Sequence, residues 1–389
     1  MPKQNIATIK DCFGCGVCAS ACSKKLISIQ LNENGFYEPR ISDLSKCTSC
    51  GICSDVCSFL YTRLAETNSP LKSWAAWSND NLVRKKCSSG GICYEIGKQL
   101  IERGYEAISC RYDINQQIAV HYIATTVDEF IESIGSKYIQ SYTVDAFKSI
   151  SFKEKKYLIV GTPCQIDSFR RLIKRFRCED NFVLIDFFCH CIPSMLAWES
   201  YRKMLESQIG RITYASWRNK FNYGWHDSWT MGIDGEKNNP DTSFTLQERN
   251  TKIKSRMSRG DLFYRLFLGD IVLGPQCEKQ CKFKYDKSSA DIRVGDLWGD
   301  AYNNNEDGVS ALIAFTEKGC EVIESLKNVS LIEHTFDEVA DGQMKKNAKH
   351  KEMQPIVMFL LKRHVGLTNP FFKMALFTQK VISKLKSLI

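Results

Sequence analysis

Tyr157-Leu158-Ile159-Val160-Gly161-Thr162-Pro163-Cys164-Gln165, an amphipathic stretch from Ile166 to about Phe176, and then Phe182-Val183-Leu184-Ile185-Asp186-Phe187-Phe188 together decide the architecture. Each apolar run is short, uninterrupted and closed by turn residues, the pattern of a strand covered on both faces. Between them Arg170, Arg171, Lys174 and Arg175 mark the outward side of a helix. Strand, helix, strand of this length predicts a βαβ unit with parallel strands. Cys164 and Cys189 then leave the sheet at one carboxyl edge, where open α/β sheets bind ligands.

Upstream of this unit, Trp74 to Ser78 and Ala107 to Tyr112 read as strands, and Ile92 to Arg103 as a helix stopped by Gly104. That helix is announced by Cys87-Ser88-Ser89-Gly90-Gly91. Hydroxyls, flexible backbone and a helix N-terminus suit either a phosphate or a plain N-cap. Downstream, Cys277-Glu-Lys-Gln-Cys281 precedes Asp291-Ile-Arg-Val-Gly-Asp296-Leu-Trp298-Gly299. With Cys164 and Cys189 this pair offers four thiolates at one edge, and Cys191 competes with Cys189 on spacing alone. His190, beside a candidate ligand, suits a proton relay or a hydrogen bond to a cofactor, or else a packed structural role. Trp217 to Trp225 mixes aromatic and basic residues, fit to stack on an anionic ring cofactor or to form an aromatic hairpin corner.

The N-terminus carries a second signal. Cys12-x2-Cys15-x2-Cys18-x3-Cys22 is repeated as Cys47-x2-Cys50-x2-Cys53-x3-Cys57. Three thiolates on one tight loop cap three irons of a cubane, and the fourth of each run ligates the other cluster. Cys12, Cys15, Cys18 and Cys57 are expected on one 4Fe-4S cluster, and Cys47, Cys50, Cys53 and Cys22 on the second. Zinc sites favour separated C-x2-C pairs over intact four-cysteine runs. Leu26 to Leu31, a turn at Asn32-Glu33-Asn34-Gly35, and Phe36 to Ile41 read as the hairpin joining the two loops. Proline usually follows the fourth cysteine in bacterial ferredoxins; Ser23 and Ser58 stand there instead.

Of 389 residues, 43% are hydrophobic and 25% charged, enough for two or three domains with cores of their own. Eighteen cysteines without a secretory leader point to metal or redox chemistry in the cytoplasm. The formal charge of +9 counts thiols as neutral; three four-thiolate clusters of about −2 each bring it to roughly +3. That argues against a nucleic-acid partner and for a pocket taking anionic ligands. Cys87, Cys93, Cys110, Cys178 and Cys320 read as small buried hydrophobes. After Glu352 no acidic residue occurs, while Lys362, Arg363, Lys373, Lys380, Lys384 and Lys386 alternate with apolar clusters. Such a tail docks on a membrane surface or partner, or packs on its own domain with a solvated lysine face.

Ser88-Ser89-Gly90-Gly91, Gly135 to Ser141, Gly161 to Gln165, Cys189 to Ser194, Trp217 to Trp225 and Ala290 to Asp296 occur in one order. In this the sequence resembles the coenzyme F-420 hydrogenase/dehydrogenase beta-subunit family behind a two-cluster ferredoxin domain. The family commonly has glycine where Cys191 stands, and its paired cysteines are usually closer than Cys277 and Cys281. The resemblance implies FAD near Ser88, Ser89, Gly90, Gly91, Lys137 and Thr162, and, together with the spacing, a third 4Fe-4S cluster on Cys164, Cys189, Cys277 and Cys281. His190 is the catalytic candidate. The expected fold is α/β: a small α+β ferredoxin domain, then a flavin-binding α/β core containing the parallel βαβ unit. Domains are expected over 1–66, 67–150, 151–345 and a tail over 346–389. The expected function is an iron-sulfur flavin oxidoreductase exchanging electrons between clusters and FAD. Its substrate would be an anionic small molecule or deazaflavin carrier, and the association of bacterial relatives with surface polysaccharide synthesis points to sugar chemistry. The alternative is a relay subunit without a substrate of its own. A redox partner such as a ferredoxin or another oxidoreductase subunit is expected either way.

Overall fold

The computed structural model describes residues 5–386. β1 (Ile27–Leu31) and β2 (Tyr37–Ile41) form an antiparallel hairpin between the two cysteine runs. β3 (Lys72–Ser78), β4 (Glu106–Asp113), β5 (Ile118–Ala124), β6 (Ser141–Tyr142), β7 (Tyr157–Val160) and β8 (Phe182–Phe187) follow. After them come β9 (Ile212–Ser216), β10 (Thr230–Gly235), β11 (Ile253–Arg256), β12 (Ile292–Asp296), β13 (Ser310–Ala314) and β14 (Val329–Glu333). Nine strands make one sheet in the order β14-β3-β13-β12-β8-β7-β4-β5-β6, and β9 to β11 make a separate antiparallel sheet. Strands from both sides of residue 150 therefore share one sheet.

The centre of that sheet is parallel: β12 beside β8, β8 beside β7 and β7 beside β4, with Tyr157 opposite Phe182 and Val160 opposite Ile185. Antiparallel strands flank it on both sides. The apolar runs are continuous because both faces are covered. Leu158, Val160, Val183 and Ile185 pack with Ile92, Ile96 and Leu100 of helix α1 (Ile92–Glu102). Ile159, Phe182 and Leu184 pack with Ile166, Phe169, Leu172 and Ile173 of α2 (Pro163–Phe176). Each such fully buried side chain contributes about 1.5–3 kcal/mol of transfer free energy. Val17, Ala21 and Val56, from the two cysteine segments, join this second cluster, so the N-terminal domain is seated on α2.

α2 starts earlier than the apolar periodicity suggests. Pro163 occupies its first position, and Gln165 Oε1 accepts the Thr162 N–H at 2.8 Å. Cys164 therefore belongs to the first turn of a helix, not to a loop. Across the parallel β8–β12 pair, Asp186 lies beside Arg293. Arg293 Nε and Nη2 donate to the two carboxylate oxygens at 2.7 Å each, with both side chains at 0% exposure.

The C-terminal region forms α3 (Met195–Ile209) against β9 and β10, then α4 (Gln354–Lys362) and α5 (Pro370–Lys386). One side of α5 is buried through Phe372, Ala375, Leu376 and Gln379. Its other side exposes Phe371, Met374, Phe377 and Leu385, each more than half accessible. The tail thus packs on its own domain, but its outward face is apolar as well as lysine-bearing. Among the described residues no helix is long and apolar enough to cross a membrane.

Candidate functional site

The first four-cysteine set is assembled by tight backbone. Gly14 has φ +65°, and a Cβ there would lie 2.6 Å from the Tyr37 carbonyl. Gly16, at φ +77°, turns the chain into the short helix Val17–Ala21. Both conformations favour glycine. The Gly14 N–H donates to Cys12 Sγ at 3.4 Å. Burial raises the Cys12, Cys15 and Cys18 thiols, and raises Cys57 to about 11. Cys18 also feels Cys15, Cys12 and Cys57, and Cys12 feels Cys15 and Cys57. Four thiols, two of them buried and two half-buried, that oppose each other's ionisation suit a cation-rich cluster that takes all four as thiolates. In the other set Cys53 is buried and feels Cys50, which is exposed. Asn5 Nδ2 donates to Cys47 Sγ at 3.7 Å. One set therefore faces the core, and the other reaches solvent.

Ser168, one helical turn beyond Cys164 on α2, sits at the seam between the N-terminal domain and the core. Its side chain has 0% exposure. Ser168 Oγ accepts the Ser58 N–H at 3.1 Å and lies 3.3 Å from Cys15 Sγ. A proline after Cys57 would lack that N–H, so Ser58 makes a contact that the usual ferredoxin residue cannot. Beside it Asp167 accepts from Ala65 N–H and Ser289 Oγ, both at 2.6 Å. Lys282 Nζ caps the carbonyls of Ser58, Tyr61 and Arg63.

At the carboxyl edge the structure brings together five cysteines. Cys164 is half-buried, desolvation raises its thiol, and it feels Cys189, Cys15 and Cys281. Burial also pushes Cys189 up to about 12, and its neighbours include Cys191 and Cys281. Cys191 and Cys277 share a hydrogen bond, which holds Cys191 low and Cys277 high. Cys164 also has Thr162 Oγ1 at 3.2 Å from its Sγ. Lys284 Nζ donates to the carbonyls of Cys189 and His190 at 2.6 Å each, pinning that loop. Five thiols offer one more than a four-thiolate cluster needs, and Cys15 of the first set is among the groups whose charge Cys164 feels.

Beside this edge lies a cavity of about 460 Å³, within the range of small-molecule sites. Ser88, Ser89, Gly91, Lys137, Thr162, Cys189, His190 and Cys191 all line it. Gly91, at φ +90°, starts α1, and no side chain caps the helix's first N–H groups. That end of α1 suits an anionic group. His190 Nε2 is 2.8 Å from Asp270 Oδ1, with the edge of Phe267 against the ring.

Several sequence candidates also hold the scaffold together. Gly90 does not line the cavity; a Cβ there would stand 2.3 Å from the Ala76 carbonyl, so it lets the turn lie against β3. Ser89 Oγ donates to the Val309 carbonyl at 2.7 Å. Lys137 Nζ spends three donors on the carbonyls of Glu132, Ser133 and Ile134, and burial lowers its pKa to about 8. The Trp217 to Trp225 segment is a strut. Arg218 is buried between Trp229 and Trp298, pairs both oxygens of Asp296, and donates to the Ser88 carbonyl. Lys220 donates to the Ser89 carbonyl. Ring stacking on a cofactor is thus not the role of Trp217 or Trp225, which are 1% exposed. Sequence reasoning missed His121 on β5. This ring also lines the cavity, its Nε2 meets the Val160 carbonyl at 3.0 Å, and its buried Nδ1 has no partner among the described residues. Burial lowers it to about 4. Only the pairing of β5 with β4 brings it here, so no local pattern marks it.

Residues 154–338 match the family described as the C terminus of the coenzyme F-420 hydrogenase/dehydrogenase beta subunit, and residues 11–59 match the 4Fe-4S dicluster domain. A curated relative is the coenzyme F-420 hydrogenase subunit beta of Methanococcus voltae, 24% identical over 316 residues, covering 76% of this chain and 96% of the relative. A chain of the F-420-reducing [NiFe] hydrogenase complex from Methanosarcina barkeri is similar at 16% identity with a TM-score of 0.42, covering 77% of this chain and 90% of that one.

Proposed function

We propose, from the premise that residues 154–338 are the C-terminal domain of the coenzyme F-420 hydrogenase/dehydrogenase beta-subunit family, joined to a 4Fe-4S dicluster domain, that this chain is an iron-sulfur flavin oxidoreductase. The observation that carries the reading is continuity. Cys15 Sγ lies 3.3 Å from Ser168 Oγ, Ser168 shares a helix with Cys164, and Cys164 feels the charge of Cys15 on one side and of Cys189, on the cavity wall, on the other. In this reading Cys164, Cys189, Cys277 and Cys281 hold a third 4Fe-4S cluster, with Cys191 as the competing ligand. The cavity takes FAD, which when bound supplies conversion between two-electron and one-electron transfer.

The chain's own residues hold and orient. Ser88 Oγ accepts from Ser136 N–H at 2.8 Å and fixes the turn before α1, whose open N–H groups receive the phosphates. Arg218 and Lys220 tie that turn to the β12–β13 side. Thr162 borders both the cavity and Cys164. His190, held by Asp270 through Nε2, leaves Nδ1 to take or return a proton at the cavity wall. An anionic substrate or deazaflavin carrier enters at that wall. Anaerobically prepared protein is expected to carry about twelve iron per chain and a flavin spectrum; about eight iron removes the third cluster, and no flavin removes the enzyme reading.

A relay subunit without its own substrate is the second reading, favoured by the solvent-facing position of Cys50. Reduction assays with the deazaflavin, NADH and reduced ferredoxin separate the two. The tail is assigned to an anionic membrane surface, because the outward apolar face of α5 is accompanied by Lys373 and Lys380 and by no carboxylate side chain beyond Glu352.

A further inference from the structure

Beside the third cysteine set, and bordering the flavin cavity at Lys284 and Tyr285, lies an open groove of about 710 Å³. Seven lysines line it, Lys282 and Lys284 at its base and Lys279, Lys287, Lys345, Lys346 and Lys349 around it. Only two carboxylates share it, and both are paired: Glu278 with His350 at 2.7 Å and Asp286 with Lys287 at 2.9 Å. Cys281 also lines the groove. The thiol of Cys281 in turn lies among Cys191, Cys189 and Cys164. A positive surface thus abuts the edge of a redox set.

The kind of anion follows from the donors. Lys282 and Lys284 direct their ammonium groups at backbone carbonyls, and Lys345 lies over the Tyr285 ring at 4.7 Å. Among the described residues no unpartnered buried donor points into the groove, so it lacks the built pocket that a small phosphate or carboxylate requires. What it offers is a broad field from solvated lysines. Such a field steers and orients a protein with an acidic face. We infer that the groove is the docking surface of an acidic one-electron carrier protein, which exchanges its electron with the third cysteine set at Cys281.

This inference rests on the third-cluster reading above. One electron passes, the carrier is oxidised as the cluster is reduced, and no bond is made or broken. The groove therefore gives the core a second electron port, separate from the exposed end of the ferredoxin domain at Cys50.

The test uses the full chain carrying Lys345→Glu, Lys346→Glu and Lys349→Glu together, and the same three positions changed to Gln. The probe is a reduced two-cluster ferredoxin of strongly negative charge, with dithionite as the small reductant. At low salt the Glu variant is expected to be reduced by the ferredoxin about tenfold more slowly than the unaltered chain, and the Gln variant to fall between them. The difference should fade at high salt, and iron content, flavin content and dithionite reduction should be unchanged. Equal ferredoxin rates for the three proteins overturn the inference. Ferredoxin affinity, followed by fluorescence anisotropy, reads docking by itself. If affinity falls with lysine reversal but iron is near eight, the third-cluster reading fails while the docking surface stands.

Discussion

Changing Ser168 to Ala tests the seam between the two halves of the molecule with one oxygen atom. Ser168 Oγ accepts the Ser58 N–H at 3.1 Å and lies 3.3 Å from Cys15 Sγ. Once Cys15 is bound to iron as a thiolate it has no proton to give, and the Ser168 hydroxyl becomes the donor between them. A hydrogen bond to a charged partner is worth about 1.5–3 kcal/mol. It strengthens as a cluster gains an electron, so it favours the reduced state. If the strengthening is about 1 kcal/mol, its loss lowers the one-electron midpoint potential by about 40 mV. Ser168→Ala is therefore expected to move one cluster down by that amount, with unchanged iron content. The readout is a potentiometric titration followed by electron paramagnetic resonance on anaerobic protein. Ser58→Pro removes only the N–H that orients the hydroxyl, and should shift the same cluster by less. An unchanged potential, or a shift confined to the set containing Cys50, refutes the reasoning.

Other expectations follow from single sites. His121 titrates near 4 in the folded chain against about 6.5 when unfolded, so its contribution is complete above pH 6.5 and is lost as pH falls towards 4. That window is worth about 3 kcal/mol; His121→Phe should flatten the dependence of the denaturation midpoint between pH 6.5 and 5, and an equal slope in both proteins contradicts it. Arg293→Met leaves Asp186 buried at 0% exposure without its cation, so urea unfolding should register a loss of about 3–5 kcal/mol. Liposomes containing anionic lipid should float the full chain but not one ending at Lys351; equal flotation sinks the membrane assignment. Gly90→Ala, whose Cβ meets the Ala76 carbonyl, should lower thermal stability and loosen flavin together, and unchanged melting contradicts the close approach.

The parts legible in the sequence are those written in local pattern. β7 and β8 are continuous apolar runs because they lie at the centre of the sheet, and their register matches the βαβ expectation. The cysteine repeat is legible because cluster loops need fixed spacing on adjacent residues. Parts that depend on distant pairing are not. His121 reaches the cavity only through β5 on β4, and Ser168 gains meaning only when Cys15 and Ser58 arrive from more than a hundred residues away. Gly90 looks like a ligand contact by motif, yet it makes room for a carbonyl, while Lys137 both lines the cavity and caps a turn. The same motif thus serves cavity and scaffold, and only packing separates the two uses. The tail's lysines are visible in the sequence, but its outward phenylalanines can be told from core ones only once α5 has a partner side.

In the proposed function electrons cross from the N-terminal clusters to the flavin cavity by way of Cys164. Rapid mixing of the anaerobic, flavin-loaded chain with a one-electron reductant, with flavin absorbance followed in the unaltered protein and in Cys164→Ala, tests it most directly. In the unaltered chain the clusters should bleach first and flavin reduction should follow. In Cys164→Ala the N-terminal clusters should still bleach, but flavin reduction should be slowed by orders of magnitude. Flavin reduction at the same rate in both would contradict it.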